Sequence, residues 1–98
     1  MEIKTNAVNF TIDKKLVEYI NDKVSKLELF FDQIITCEVF LKTDKSTEKE
    51  NKYAGIKLII PKSELFAEKQ CKSFEEAIDL SVEALRKQII KHKEKVRD

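Results

Sequence analysis

The chain has 98 residues, of which 42% are hydrophobic and 38% are charged, and its formal net charge at pH 7 is +1. This size predicts one domain with one hydrophobic core. The near-zero net charge excludes attraction of the whole molecule to a polyanion, so any such attraction must be local. No apolar run approaches the roughly 20 residues of a membrane span, and no signal-peptide core is visible. We therefore expect a cytoplasmic protein with no membrane partner, whose Cys37 and Cys71 are reduced, buried strand residues.

The N-terminal third predicts a strand followed by a helix. Residues 1–10 alternate weakly, with Ile3, Thr5 and Ala7 on one side. The period then changes to spacings of three and four, which is one face of a helix. Thr11 or Asp13 is the candidate N-cap, and the helix is expected to end between residues 30 and 32. The apolar residues of its buried face are Leu16, Ile20, Val24, Leu27 and Phe31.

The middle of the chain predicts three strands. Residues 35–42 and 54–60 alternate, and between them residues 43–52 contain no apolar side chain, which is typical of an exposed, mobile loop. Pro61 removes a backbone donor and should begin a turn over residues 61–64, after which residues 65–71 return as a shorter strand. The inward-facing residues predicted for the first two of these three strands are Ile35, Cys37, Val39, Leu41, Ala54, Ile56, Leu58 and Ile60.

A second helix follows and completes the fold. Ser73 and Glu76 have the spacing of a capping box. The apolar stripe predicted to follow is Phe74, Ile78, Ser81, Val82, Leu85 and Ile89. The order β-α-β-β-β-α predicts an α+β fold, a four-stranded sheet with both helices on one face.

The residues that most enzymes need are scarce in this sequence. The one glycine, Gly55, lies within a predicted strand, so there is no glycine-rich phosphate loop. The one histidine, His92, falls at the end of the second helix's apolar stripe, where a rim position is its first interpretation and a phosphate contact its second. We therefore expect no enzymatic activity, metal, cofactor or small-molecule substrate.

Positive charge is concentrated at the C-terminal end. From Ala84 onward there are six basic and two acidic residues, whereas the rest of the chain has 13 basic and 16 acidic residues. On a helix, Lys87, Lys91 and Lys95 form one row, and a second row on another side is formed by Arg86, Lys93 and Arg97. One interpretation is a solvated helix end that complements the helix dipole, with Glu83 placed to pair with Lys87. The other is a ridge that follows a phosphate backbone.

The first helix offers a smaller positive surface. Lys23 and Lys26 flank the line of Tyr19 and Phe30 beside the apolar face. The two helices together predict a positively charged ridge or cleft with aromatic residues nearby. For Tyr19 and Phe30, packing at the rim of the core is favoured over base stacking.

Three stretches resemble a known family over essentially the whole chain. They are LVEYINDKVSKLELFFDQI (16–34), KLIIPKSELFA (57–67) and FEEAIDLSVEALRKQIIKHKEK (74–95). The chain resembles the short ribosome hibernation promoting factors, also called ribosome-associated inhibitors or ribosomal subunit interface proteins. The resemblance implies a fold similar to double-stranded-RNA-binding domains with an added first strand.

The resemblance also implies a function. Such proteins bind the small ribosomal subunit, and hence the whole ribosome, near the decoding region, and they keep ribosomes idle in stationary phase or stress. Long members carry a further C-terminal domain that pairs ribosomes; this chain to Asp98 is expected to lack it, so dimer formation would need a second hibernation factor. The positions that match the family's rRNA-binding helix faces are Lys23, Lys26, Arg86, Lys87, Lys91, His92, Lys93 and Lys95.

Two other functions remain open from the sequence. An older family name refers to modulation of a sigma factor, and Phe40, Ile59 and Phe66 on the outer sheet phase predict an apolar patch for a protein partner. The order of elements alone is also compatible with a general binder of double-stranded RNA.

Overall fold

The predicted order of elements is confirmed. The computed structural model describes residues 1–44 and 49–96. The strands are β1 (Glu2–Val8), β2 (Thr36–Thr43), β3 (Lys52–Ile60) and β4 (Ser63–Cys71), and the helices are α1 (Lys14–Ser25) and α2 (Phe74–Val96). A short 3-10 helix, Lys26–Leu29, directly follows α1. Much of the mobile loop predicted between β2 and β3, residues 45–48, lies outside the described residues.

The described strands form one four-stranded sheet. Its strand order is β1-β2-β3-β4, with β1 parallel to β2 and the other neighbours antiparallel. A parallel pair needs a crossover connection, and α1 lies in that connection. The residues predicted to face inward from β2 and β3 are buried against the helices, except Ile35. The helix residues in the same core are Ile20, Val24, Leu27, Ala77, Ile78, Leu85 and Ile89.

Both helices begin at the predicted caps. Asp13 Oδ1 accepts a hydrogen bond from the Leu16 N–H at 2.8 Å. Ser73 Oγ accepts one from the Glu76 N–H at 3.2 Å, which is the serine half of the predicted capping box. Each bond satisfies one backbone donor that the first turn of a helix leaves without an intrahelical partner.

Several predicted boundaries are wrong. Strand β1 ends at Val8 instead of residue 10, and strand β3 begins at Lys52 instead of residue 54. The α-helical part of the first helix ends at Ser25, and the tighter 3-10 turn that follows keeps Leu27 in the core. Strand β2 begins at Thr36, and Ile35 is 55% exposed because Ile34 fills that end of the core instead. Strand β4 begins at Ser63 instead of Leu65. The turn is only two residues long because Lys62 adopts a φ of 64°, as the second central residue of a tight type II turn requires.

Candidate nucleic-acid interface

Three lysines project into solvent from the last half of α2. Lys87, Lys91 and Lys95 are exposed, and none makes an ion pair or hydrogen bond with another described residue. Their spacing of four residues places successive Cα atoms about 6 Å apart along the helix. We call these three residues the outer row. Their ammonium groups are available to an external anion.

The second basic row contacts Phe30, which directly follows the 3-10 helix. The Arg86 guanidinium forms a bidentate ion pair with Glu83 and lies 5.8 Å from the centre of the Phe30 ring. Lys93 Nζ donates to the Phe30 carbonyl oxygen at 2.8 Å. We call Arg86 and Lys93 the inner row; Arg97, predicted for the same row, lies outside the described residues.

The ion pair expected at Glu83 is made with a different partner. Glu83 pairs with Arg86 instead of Lys87, because the planar guanidinium at i+3 meets both carboxylate oxygens at once. This hydrogen bonding lowers the pKa of Glu83 and raises the pKa of Arg86. Lys87 therefore remains available to an external partner.

His92 lies at the rim of the core, as its first interpretation predicted. It is partly buried, and its ring meets the Phe31 ring edge to face, with 5.8 Å between the ring centres. The contact joins the last turns of α2 to the segment that follows the 3-10 helix.

Lys23 on α1 and Lys26, which directly follows α1, also have partners within the protein. Lys23 Nζ lies 3.8 Å from Asp79 Oδ1 on α2 and 5.5 Å from the centre of the Tyr19 ring. Tyr19 Oη donates to the same Asp79 oxygen at 2.6 Å, and mainly this bond raises the pKa of Tyr19 to about 12. Lys26, the first residue of the 3-10 helix, pairs with Asp22 on α1 at 3.7 Å. Tyr19 thus links the two helices, which agrees with the packing role favoured from the sequence.

The outer sheet face does not form the continuous apolar patch proposed from the sequence. Phe66 is 43% exposed, but Phe40 and Ile59 are partly buried. The cross-strand pair Glu38 and Lys57 lies between the row of Phe40 and the row of Ile59, so charge interrupts the patch. A Cβ on Gly55 would lie 2.6 Å from Tyr53 Oη and 3.2 Å from Phe66 Cζ, so this glycine leaves room for both rings.

A family model identifies the chain's relatives. The model described as Sigma 54 modulation protein / S30EA ribosomal protein matches residues 3–97. The chain belongs to this family. It is similar to the ribosome hibernation promoting factor of Azotobacter vinelandii, with 30% identity over 97% of this chain and 85% of the relative. The factor of Escherichia coli K12 is 30% identical over 99% of this chain and 98% of the relative.

Two solved structures have the same fold. A ribosomal subunit interface protein from Coxiella burnetii superposes with a TM-score of 0.83 and 20% identity, covering 95% of this chain and 98% of its own. The Protein Y N-terminal domain of Thermus thermophilus superposes with a TM-score of 0.79 and 24% identity, covering 91% of this chain and 96% of its own. At these identities the likeness to the two solved structures concerns the fold alone. The family resemblance predicted from the sequence is confirmed by the family model and by the hibernation promoting factors.

In this S30EA family member the eight predicted RNA-binding residues form two groups. The outer row has no partner among the described residues. The remaining five contact other parts of the protein: Lys23, Lys26, Arg86, His92 and Lys93. Sequence reasoning did not identify the internal partners Asp79 and the Phe30 carbonyl, because both depend on how the two helices pack.

The described part of the chain has neither a metal site nor a membrane-spanning helix. Within residues 1–44 and 49–96, no group of three or more His, Cys, Asp or Glu side chains is placed to hold a metal ion. No helix in the same ranges is long and apolar enough to cross a membrane. Cys37 and Cys71 are buried free thiols, and burial raises the pKa of Cys37 to about 12.

Proposed function

We propose that this protein is a ribosome hibernation factor that binds rRNA of the small subunit near the decoding region and, without catalysis, blocks the positions of mRNA and tRNA. Its S30EA relatives are named ribosome hibernation promoting factors, which supports a ribosomal partner. A protein with this role acts in the cytoplasm, in stationary phase or stress, and a second factor would be needed if ribosome dimers form.

The observation that carries the proposal is the outer row. Lys87, Lys91 and Lys95 are exposed, regularly spaced and without an internal partner among the described residues, so an external anion does not have to displace an existing bond. Lysines that neutralise phosphates release condensed counterions, and this release supplies affinity that depends on salt and little on sequence.

The five other predicted residues are assigned supporting contacts in this proposal. Lys23 and Lys26 are already paired with carboxylates, so a phosphate must compete for them. Arg86, His92 and Lys93 pack on the segment that follows α1 and hold α2 in place. A rigid ridge loses less conformational entropy on binding than a flexible one.

Sedimentation with ribosomes tests the proposal. Purified protein is run with ribosomes and separated subunits through sucrose gradients at low and high salt. We expect it to sediment with the small subunit and whole ribosomes at low salt and to dissociate at high salt. A folded Lys87→Glu, Lys91→Glu variant should not sediment with ribosomes, whereas the matched Lys14→Glu, Lys15→Glu variant on α1 should behave as the unsubstituted protein.

Two results would reject the proposal or its site. Protein that stays at the top of the gradient at low salt would exclude hibernation by ribosome binding. Normal sedimentation of the Lys87→Glu, Lys91→Glu variant would exclude the outer row as the contact. Equal affinity for an isolated RNA duplex and for the small subunit would instead indicate a general binder of double-stranded RNA.

A further inference from the structure

A groove opens beside the C-terminal end of α2. Its volume is about 890 Å³, within the range of sites for small molecules. Phe31 and Gln33 line it from the connection between α1 and β2. Residues 61–63 line it from the β3–β4 turn and the first position of β4, and Ile90 with residues 92–94 line it from α2. None of these residues belongs to the outer row.

Contacts between these three segments hold the walls of the groove in place. Lys93 Nζ bonds the Phe30 carbonyl at 2.8 Å, and the Phe31 and His92 rings meet edge to face. At the other end of the same connection, the Ile35 N–H donates to the Ile59 carbonyl at 2.8 Å, close to the β3–β4 turn. The groove is therefore formed before a ligand arrives, which reduces the ordering cost of binding.

The lining combines apolar surface with available polar groups. Phe31, Pro61 and Ile90, which is 39% exposed, supply the apolar surface. Gln33 and Ser63 are exposed, and their side chains make no hydrogen bond to another described residue. An amide and a hydroxyl can each donate and accept, as the edge of a nucleobase requires.

The charges at the rim favour an anionic ligand. Lys62 is exposed at the tip of the turn without an ion-pair partner among the described residues, and Lys93 keeps donors beyond the one used on Phe30. Glu94 is the one acidic residue of the lining. A ligand with a flat apolar body, a polar edge and a negative group matches this surface.

We propose that the groove binds one unstacked nucleotide of single-stranded RNA. The base packs against Phe31, Pro61 and Ile90, Gln33 and Ser63 contact its edge, and Lys62 contacts its phosphate. Bases in a duplex are stacked and paired and cannot enter, whereas splayed bases of loops and ends can. The identity of the ligand as RNA rests on the proposed function, and the outer row on the same helix would hold the adjoining backbone.

Nucleotide titration without ribosomes tests the groove. Backbone amide signals of ¹⁵N-labelled protein are followed as uridine or adenosine 5′-monophosphate is added at constant ionic strength. We expect saturable shifts at Gln33, Lys62 and Ser63. An Ile90→Glu variant should weaken the affinity about tenfold, because it removes apolar surface and adds a like charge. Leu80→Glu, which also replaces an exposed aliphatic residue of α2 by glutamate but lies outside the groove, should not weaken it.

A second variant covers the case in which Ile90→Glu does not fold. Lys62→Asn removes the charge, and asparagine tolerates the positive φ of this position, so we expect a folded protein with several-fold weaker nucleotide binding. Inorganic phosphate alone should not reproduce the shifts at Gln33 and Ser63.

Each contrary outcome rejects the groove and leaves the ribosome proposal separately testable. Equal shifts with phosphate alone would indicate only an anion site. Shifts that no groove substitution weakens, or no saturable shift, would show that the nucleotide binds elsewhere or not at all. If a Lys87→Glu, Lys91→Glu protein still sediments with ribosomes while the groove binds nucleotides, the outer row fails and the groove stands. If that variant no longer sediments with ribosomes and no nucleotide binds, the outer row is supported as the ribosome contact and the groove is rejected.

Discussion

Neutralising the outer row should change the salt dependence of ribosome binding by an amount that its geometry sets. In a Lys87→Gln, Lys91→Gln, Lys95→Gln variant three phosphate contacts are lost. Each duplex phosphate that a lysine neutralises contributes about 0.9 to the slope of log affinity against log salt concentration. Losing three such contacts should therefore make this slope less steep by about 2.7. Between about 50 and about 200 mM salt, the variant should therefore lose about 40-fold less affinity than the unsubstituted protein.

The assay is a binding titration of labelled protein with small subunits at several salt concentrations, with urea unfolding as a check on the fold. Stability should stay the same or rise by a few tenths of a kcal/mol, because like charges at i and i+4 repel. The matched control is Lys14→Gln, Lys15→Gln, Lys69→Gln, which removes the same charge at exposed positions elsewhere. Equal slopes for the two triple variants would show that only net charge matters and would exclude the outer row as a specific phosphate contact.

Three further predictions concern the fold. Both tyrosines should ionise near pH 12, because hydrogen bonding at Tyr19 and mainly burial at Tyr53 raise each pKa to about 12. Their stabilisation is complete below about pH 10 and should be lost as pH rises toward 12; an absorbance midpoint near 10 in the folded protein would contradict this. Gly55→Ala should destabilise by about 1–3 kcal/mol in urea unfolding, and less in a Tyr53→Phe background, since the Tyr53 hydroxyl is the closest atom to the new methyl group. Equal losses in both backgrounds would rule out that clash. Ser73→Ala should cost about 1 kcal/mol by removing the acceptor for Glu76 N–H, and unchanged thermal unfolding would show that this cap is dispensable.

Local pattern accounts for most of the elements. Asp13 and Ser73 cap the two helices as predicted, because a cap depends only on residues within one turn. The alternation in Ala54, Ile56 and Leu58 predicted a strand face that is fully buried. Boundaries were less predictable where tertiary packing decides them. Nothing in the local sequence indicates that Ile34 would fill the core in place of Ile35.

The candidate site divides in the same way. Composition alone predicts that positive charge is concentrated on the last turns of α2. A helical period of 3.6 residues predicts that Lys87, Lys91 and Lys95 share one side of the helix. Helix packing, in contrast, determines which of the basic residues already have partners within the protein. Arg86 and Lys93 differ from the outer row because the segment that follows the 3-10 helix lies against their side of α2. Phe30 in that segment offers a ring and a carbonyl oxygen. The groove has the same origin: its three walls are far apart in the chain and come together only when the helices and the β3–β4 turn pack around one core.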